Sequence, residues 1–153
     1  TIWEIDRFHN GLGASGGSLT QRFVYWQTAV EIIKDHPWFG VGTGDVPGAF
    51  DAKYEELNNL EEQYRLRAHN QFLTVWLSLG IPGIGLLVIM LLSPFIYAKR
   101  RSRTLLFSMF WIIAVMGMVN EDMLETQVGV TFFAFFFFWI LNRGMGYEES
   151  TDS

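Results

Sequence analysis

The chain has 153 residues, a formal charge of −5 and no cysteine. That length suits one ordinary domain, the acidic balance argues against nucleic acid as a partner, and the missing cysteine excludes disulfides, thiolate nucleophiles and cysteine-ligated zinc. A 50 % hydrophobic fraction and a mean hydropathy of +0.19 sit between soluble and membrane proteins, so the distribution decides: most acidic residues lie in 1–70, while 72–98 and 104–120 carry no charge.

The chain opens at Thr1 in polar sequence without a signal peptide, which reads as the C-terminal part of a longer protein. Residues 10–17 are rich in glycine and predict an irregular lead-in. Ser18 and Gln21 fit a capping box, and a helix is predicted from about Leu19 to Asp35, ending before Pro37 because the residue ahead of a proline avoids helical geometry. Phe23, Trp26, Val30 and Ile33 recur at helical spacing, with Arg22, Trp26 and Ala29 on one side. On a membrane-facing loop such a helix lies along the interface, with Trp26 and Trp38 at headgroup depth.

Pro37 to Asp45 is a glycine-rich turn. It lacks the preceding strand of a dinucleotide loop and the following lysine of a P-loop, so nucleotide binding is not expected. Asp45 reads as the N-cap of a second helix with Pro47 in its first turn, and Phe50, Tyr54 and Leu57 share a face of it. Glu55 to Arg67 is a charged run of the kind that covers a solvated surface. Arg65, Arg67 and His69 then stand immediately before the first apolar block. They fit two readings: headgroup anchors beside a span capped by His69 and Asn70, or phosphate contacts.

Phe72 to Ala98 is a run of 27 uncharged residues, against the roughly 20 that cross a bilayer core. Gly80, Pro82 and Gly83 interrupt it, and a kink is expected near Pro82. Four of the eleven basic residues follow within Lys99 to Arg103, a loop that the positive-inside rule places in the cytoplasm. Thr104 to Asn120 and Val128 to Leu141 are the next two apolar stretches, short enough to need help from flanking residues or neighbouring helices. Arg143 and a polar tail to Ser153 close the chain. The competing reading, a soluble protein with buried helices, is disfavoured by the 27-residue run and the basic loop.

The expected architecture is therefore all-α: an extracytoplasmic loop with amphipathic helices over 1–70, three transmembrane helices at about 72–98, 104–120 and 127–142, and a cytoplasmic tail over 143–153. This orientation puts 1–70 and the connector Glu121 to Gln127 outside. Glu121 and Glu125 would share a helical face there, either orienting a sugar and pairing with arginines or lying solvated. His9 and His36 have no partner pattern, and no cluster of His, Asp and Glu has metal-ligand spacing, so neither metal nor other cofactor is expected.

Five blocks carry a resemblance: Arg22-Phe-Val-Tyr-Trp26, Pro37-Trp-Phe-Gly-Val-Gly-Thr-Gly-Asp45, Arg67-Ala-His69-Asn70-Gln-Phe-Leu73, Gly80-Ile-Pro-Gly83 and Glu121-Asp-Met-Leu-Glu125-Thr-Gln-Val-Gly129. In this order and spacing, over about 18–142, the chain resembles the O-antigen ligase and polymerase family of bacterial envelopes. The resemblance implies a multi-span inner-membrane glycosyltransferase with a GT-C-like helical fold. Its donor would be an undecaprenyl-pyrophosphate-linked glycan. Its acceptor would be a lipid A core sugar, a growing polysaccharide or a protein hydroxyl, and membrane lipids would surround it. Arg22 matches the family's loop arginine and His69 the histidine ahead of the next span. A further family arginine falls before Thr1. On this reading Arg22 and His69 are catalytic, and Arg65, Arg67, Asn70, Glu121 and Glu125 are candidates for binding substrate. The alternative is a membrane transporter or an assembly scaffold. Transporters usually carry ionisable residues within their spans, and these three blocks have none.

Overall fold

The computed structural model describes residues 18–57, 65–97 and 105–145. Among them it is all helical, without a strand: α1 (Ser18–Asp35), α2 (Val46–Leu57), α3 (Gln71–Tyr97), α4 (Leu105–Asn120) and α5 (Gln127–Met145), with a 3₁₀ turn at Met123–Glu125. His9, the lead-in at 10–17, the middle of the charged run at 58–64, the basic loop Lys99 to Arg103 and the tail from Tyr147 lie outside the described residues, as do the side chains of Ser18 and Arg143. By length and composition α3, over Gln71–Ile96, can cross a membrane; α4 and α5 are apolar but shorter.

The chain forms two compact units, Thr1–Gly85 and Leu86–Ser153, and α3 runs from one into the other.

In the first unit α1 begins at Ser18, one residue from expectation, and its last turn closes with the His36 N–H donating to the Ile32 carbonyl at 3.1 Å. Of the apolar residues read at helical spacing, Ile33 is buried and Trp26 partly so. Val24, Tyr25, Thr28, Ala29 and Ile32 are buried, whereas Phe23 and Val30 are exposed. The buried stripe is centred on a tyrosine, a threonine and an alanine, residues that a search for large apolar side chains passes over. On α2, Val46, Phe50 and Tyr54 are buried at i, i+4 and i+8, and Leu57 turns out to solvent. Ala68 and Leu77 complete this core, with Trp26, Val41, Leu73 and Trp76 packed at its edge. Each large apolar side chain buried there contributes about 1.5–3 kcal/mol.

Lys53 ties the two helices: its Nζ lies 2.8 Å from Asp35 Oδ2 and 2.8 Å from Glu56 Oε2. Hydrogen bonding to Lys53, and then its charge, holds the Asp35 carboxyl below its usual 3.8, so that contribution is present above this value and lost as pH falls. Bonds from Asp35 and Glu56 raise the Lys53 ammonium above its usual 10.5, so its part is complete below that value and fades only at higher pH. Hydrogen-exchange protection where α1 ends on α2 is therefore expected to be flat from about pH 5 to 9 and to fall below about pH 4. In Lys53→Met the acid step should vanish; an unchanged step would remove this pair from the stability of the unit.

The kink in α3 lies at Gly80 (φ 64, ψ −155), two positions before Pro82. Only glycine enters that backbone region freely. Pro82 falls instead in the first turn of the following segment, where a missing N–H breaks no helical bond. The groups freed at the break are taken up by the glycine-rich turn. Val41 and Gly42 donate to the carbonyls of Leu77 (2.7 Å) and Ser78 (3.1 Å), and the Ile81 N–H is shared by the Pro37 and Trp38 carbonyls at 3.2 Å each. A Cβ on Gly40 would strike the Leu77 carbonyl, and one on Gly80 the Trp38 carbonyl. The two glycine motifs thus form one backbone clasp, which accounts for the glycines of the turn without any nucleotide.

In the second unit Phe107, Phe110, Trp111, Ala114 and Met118 of α4 are buried. Phe110 and Trp111 meet Phe133 of α5 at ring separations of 5.8 and 6.1 Å, and Phe95, late in α3, meets Phe107 at 5.1 Å. Edge and tilted pairs of this kind add about 0.5–1.5 kcal/mol each beyond area burial. Thr126 starts α5 by accepting the Gly129 N–H on Oγ1 at 3.1 Å.

Candidate functional site

The segment Arg65 to Asn70 carries most of the predicted site and has no regular structure of its own. Two side chains of the first unit fix its path. Tyr54 Oη donates to the Leu66 carbonyl at 2.7 Å, and Trp26 Nε1 donates to the Ala68 carbonyl at 2.9 Å. Ala68 is fully buried, and burial pushes the Tyr54 hydroxyl well above its usual 10, keeping it a donor at any physiological pH. Asn70 then caps α3: its Oδ1 accepts the N–H groups of Phe72 (3.0 Å) and Leu73 (3.2 Å). These are the N2 and N3 positions that a cap serves. Asn70→Ala should cost about 1 kcal/mol of stability in the first unit, read as a lowered melting temperature; an unchanged value would mean that the cap contributes nothing.

His69 stands between the two pinned residues with φ 46, the non-glycine residue of positive φ among those described. Left-handed backbone is uncommon for a side-chain-bearing residue and costs on the order of 1 kcal/mol. It persists here because Ala68 on one side and Asn70 on the other leave the chain no other course. The imidazole is partly exposed, neither sealed in the core nor projected freely.

Arg22 is one helical turn before Trp26, the spacing at which side chains share a face. Helical side chains lean toward the N-terminal turn, so the Trp26 ring reaches back over the turn that holds Arg22. The Trp26–Ala68 hydrogen bond ties the strap, at the residue before His69, to the helix that carries Arg22. Arg22 is partly exposed there.

Arg67 is exposed, whereas Arg65 is largely covered and lies 3.9 Å from Glu55, a long and exposed pairing that adds little stability. The first unit thus gathers Arg22, Arg65, Arg67, His69 and Asn70. Glu121 and Glu125 belong to the second unit. Their expected shared helical face is not present: α4 ends at Asn120, Asp122 has non-helical backbone (φ −78, ψ 64), and Glu125 closes a 3₁₀ turn. A connector this short bends at Asp122, and both glutamates end up exposed.

Some polar residues were not singled out from sequence. Asp122 is buried in the connector, and Gln71, Thr74 and Ser78 form a buried stripe at i, i+3 and i+7 on α3. Ser78 Oγ donates to the Thr74 carbonyl at 2.8 Å. The signal was available: polar residues recurring at helical spacing inside an apolar run mark a face turned to protein. Trp26 was read as an aromatic at headgroup depth and Tyr54 as part of a face with Phe50 and Leu57, and their polar tips hold the strap.

The profile of a family described as O-antigen ligase matches residues 3–88. An uncharacterized protein of Haemophilus influenzae is 29 % identical over 96 residues, covering 57 % of this chain and 22 % of that relative. The chain thus spans about a fifth of the length of the curated relative it matches. No solved structure matches it.

Proposed function

We propose, since the chain belongs to the O-antigen ligase family, that its residues serve a transfer of glycan from an undecaprenyl-pyrophosphate carrier to an acceptor hydroxyl at the outer face of the inner membrane. The family is membrane-associated and of ligase type. The observation that supports the reading is the Trp26–Ala68 bond, which ties the residue before His69, itself in left-handed backbone, to the helix bearing Arg22.

The chemistry asks two things of these side chains. The bond between the sugar's anomeric carbon and the pyrophosphate oxygen breaks with its electron pair leaving on the phosphate. Arg22 offers a planar fork of donors that remains charged at every relevant pH and stabilises that growing charge. The acceptor hydroxyl meanwhile attacks the anomeric carbon and gives its proton to the imidazole of His69. Arg65 and Arg67 are proposed to contact a second phosphate or a lipid headgroup. Asn70 is proposed to act on substrate only through its N-H₂ group, its Oδ1 being used by the cap. For Glu121 and Glu125 the proposal is limited to sugar contacts at the outer mouth. The three apolar helices are proposed to cross the bilayer with Lys99 to Arg103 in the cytoplasm.

Trp26→Phe keeps the packing and removes the bond to Ala68, so transfer should fall at least tenfold with protein levels unchanged; full activity would show that the strap needs no such anchor. The acceptor class is separated by the glycan of a deletion strain. Single repeat units on core indicate a lost polymerase, accumulated lipid-linked polymer a lost ligase, and loss of protein glycans an oligosaccharyltransferase. A transporter would instead move solute without any lipid-linked donor.

A further inference from the structure

α3 changes character at its break. Before Gly80 its buried positions include Gln71, Thr74 and Ser78, and Leu77 lies in the core of the first unit. Beyond the break, Ile81 to Leu92 is uninterrupted apolar sequence, with Leu86 and Ile89 exposed at 68 % and 65 %. The opening turns of this helix therefore behave as part of a polar, protein-packed unit, and the later turns as a lipid-facing rod.

The clasp fixes what lies at the same level as the break. The turn hydrogen-bonded to residues 77–81 carries Trp38 and Phe39, exposed at 67 % and 81 % although both are large aromatics. Asp35 and His36 precede them and Thr43 and Asp45 follow, all exposed. If hydrocarbon began at Gln71, this turn and its flanking carboxylates would be held well inside it, because the bonds to Leu77 and Ser78 cannot stretch. Charged groups at such depth are strongly disfavoured, and backbone freed by a break must be satisfied by protein. Hydrocarbon beginning at Gly80 removes the conflict. The remaining rod, Ile81 to Tyr97, is about 17 residues, or about 25 Å at 1.5 Å per residue. That length agrees with α4 and α5, at 16 and 19 residues, so the three apolar segments match one thin hydrocarbon layer.

We propose that the outer boundary of the hydrocarbon runs at the Gly80 break, and that the turn Pro37 to Val41 docks on the lipid interface through Trp38 and Phe39. Aromatic rings with apolar bodies are stable at headgroup depth, and this turn is held there by the helix it clasps. The first turns of α3 then stand in the aqueous compartment with the strap of Arg65 to Asn70. The proposal rests on the membrane crossing of α3 and makes no use of the catalytic assignments.

These 153 residues contain no cysteine, and any cysteine elsewhere in the full-length protein is first replaced by serine. Single-cysteine variants of the full-length protein, in its native membrane, are treated with a membrane-impermeant maleimide. Leu79→Cys, at an exposed position, should label rapidly from outside, and Leu86→Cys and Ile89→Cys should not label until detergent is added. Protection of all three would return the boundary to Gln71 and overturn the proposal. Rapid labelling of all three would overturn the crossing itself. A nitroxide at Phe39→Cys, in vesicles of phosphatidylethanolamine and phosphatidylglycerol, should show oxygen and nickel-chelate accessibility characteristic of headgroup depth. Accessibility equal to that at Ala52→Cys would mean that the turn is in water. Shielding from both reagents would mean that protein, not lipid, covers it. Either result would overturn the docking.

Discussion

His69→Ala should abolish glycan transfer while the protein remains at normal levels in the membrane. A positioned base contributes typically 10²–10⁴-fold, so the residual rate should fall by about that factor. The strain at His69 allows this loss to be separated from a structural one. Left-handed backbone at φ 46 is costly for most residues, and glycine adopts it freely. His69→Gly should therefore fold at least as well as the natural chain and still fail in transfer. A merely structural histidine predicts the reverse, with glycine restoring activity and alanine impairing stability. Transfer at the natural rate in His69→Gly would remove His69 from the mechanism.

Gly80→Ala should cost about 3 kcal/mol of stability in the first unit and lower Tm correspondingly. Two effects combine. The backbone at φ 64, ψ −155 belongs to a region that is almost closed to residues with a Cβ. The added methyl would also strike the Trp38 carbonyl, which is backbone and cannot rotate away. Gly40→Ala meets the Leu77 carbonyl from the other side of the same contact and should be comparably severe. Because the two glycines serve one interface, the double variant should lose less than the sum of the single losses. Gly44→Ala is the control, since a Cβ there has nothing within 4 Å. Equal stability of Gly80→Ala and Gly44→Ala would show that the clasp does not hold the unit together.

The parts of the fold that depend on local chemistry were readable from sequence. Pro37 and Pro47 bracket the end of α1 and the start of α2, and the apolar runs set α3, α4 and α5 within a few residues of their observed ends. What escaped depends on contacts between segments distant in the chain. Proline is the usual cause of a kink, so Pro82 drew attention, yet the break sits at Gly80 because the turn of residues 37–42 supplies the missing hydrogen bonds there. The buried face of α1 was not singled out, because Thr28 and Ala29 are buried by what packs on them and not by their own hydropathy. The shared face of Glu121 and Glu125 assumed an α-helix through a connector that bends at Asp122.

The site divides along the same line. The residue types of Arg22 and His69 and their order along the chain were legible through the family resemblance. Their positioning was not, because it runs through an indole N–H bonded to a carbonyl 42 residues away and through a left-handed residue between two anchors. Both features are invisible to periodicity and spacing. They also explain why a strap without secondary structure can hold His69 in place: Tyr54, Trp26 and the cap at Asn70 fix three of its carbonyl or side-chain groups.

The most direct test of the account is single-turnover transfer from purified undecaprenyl-pyrophosphate carrying one repeat unit, using the full-length protein, Arg22→Ala, His69→Ala and the double variant. Arg22→Ala should lose about 10²–10³-fold, as expected for a donor aimed at developing charge. The double variant should be scarcely slower than the worse single one, because both residues act on one transition state. Transfer by either single variant at the natural rate would contradict the account.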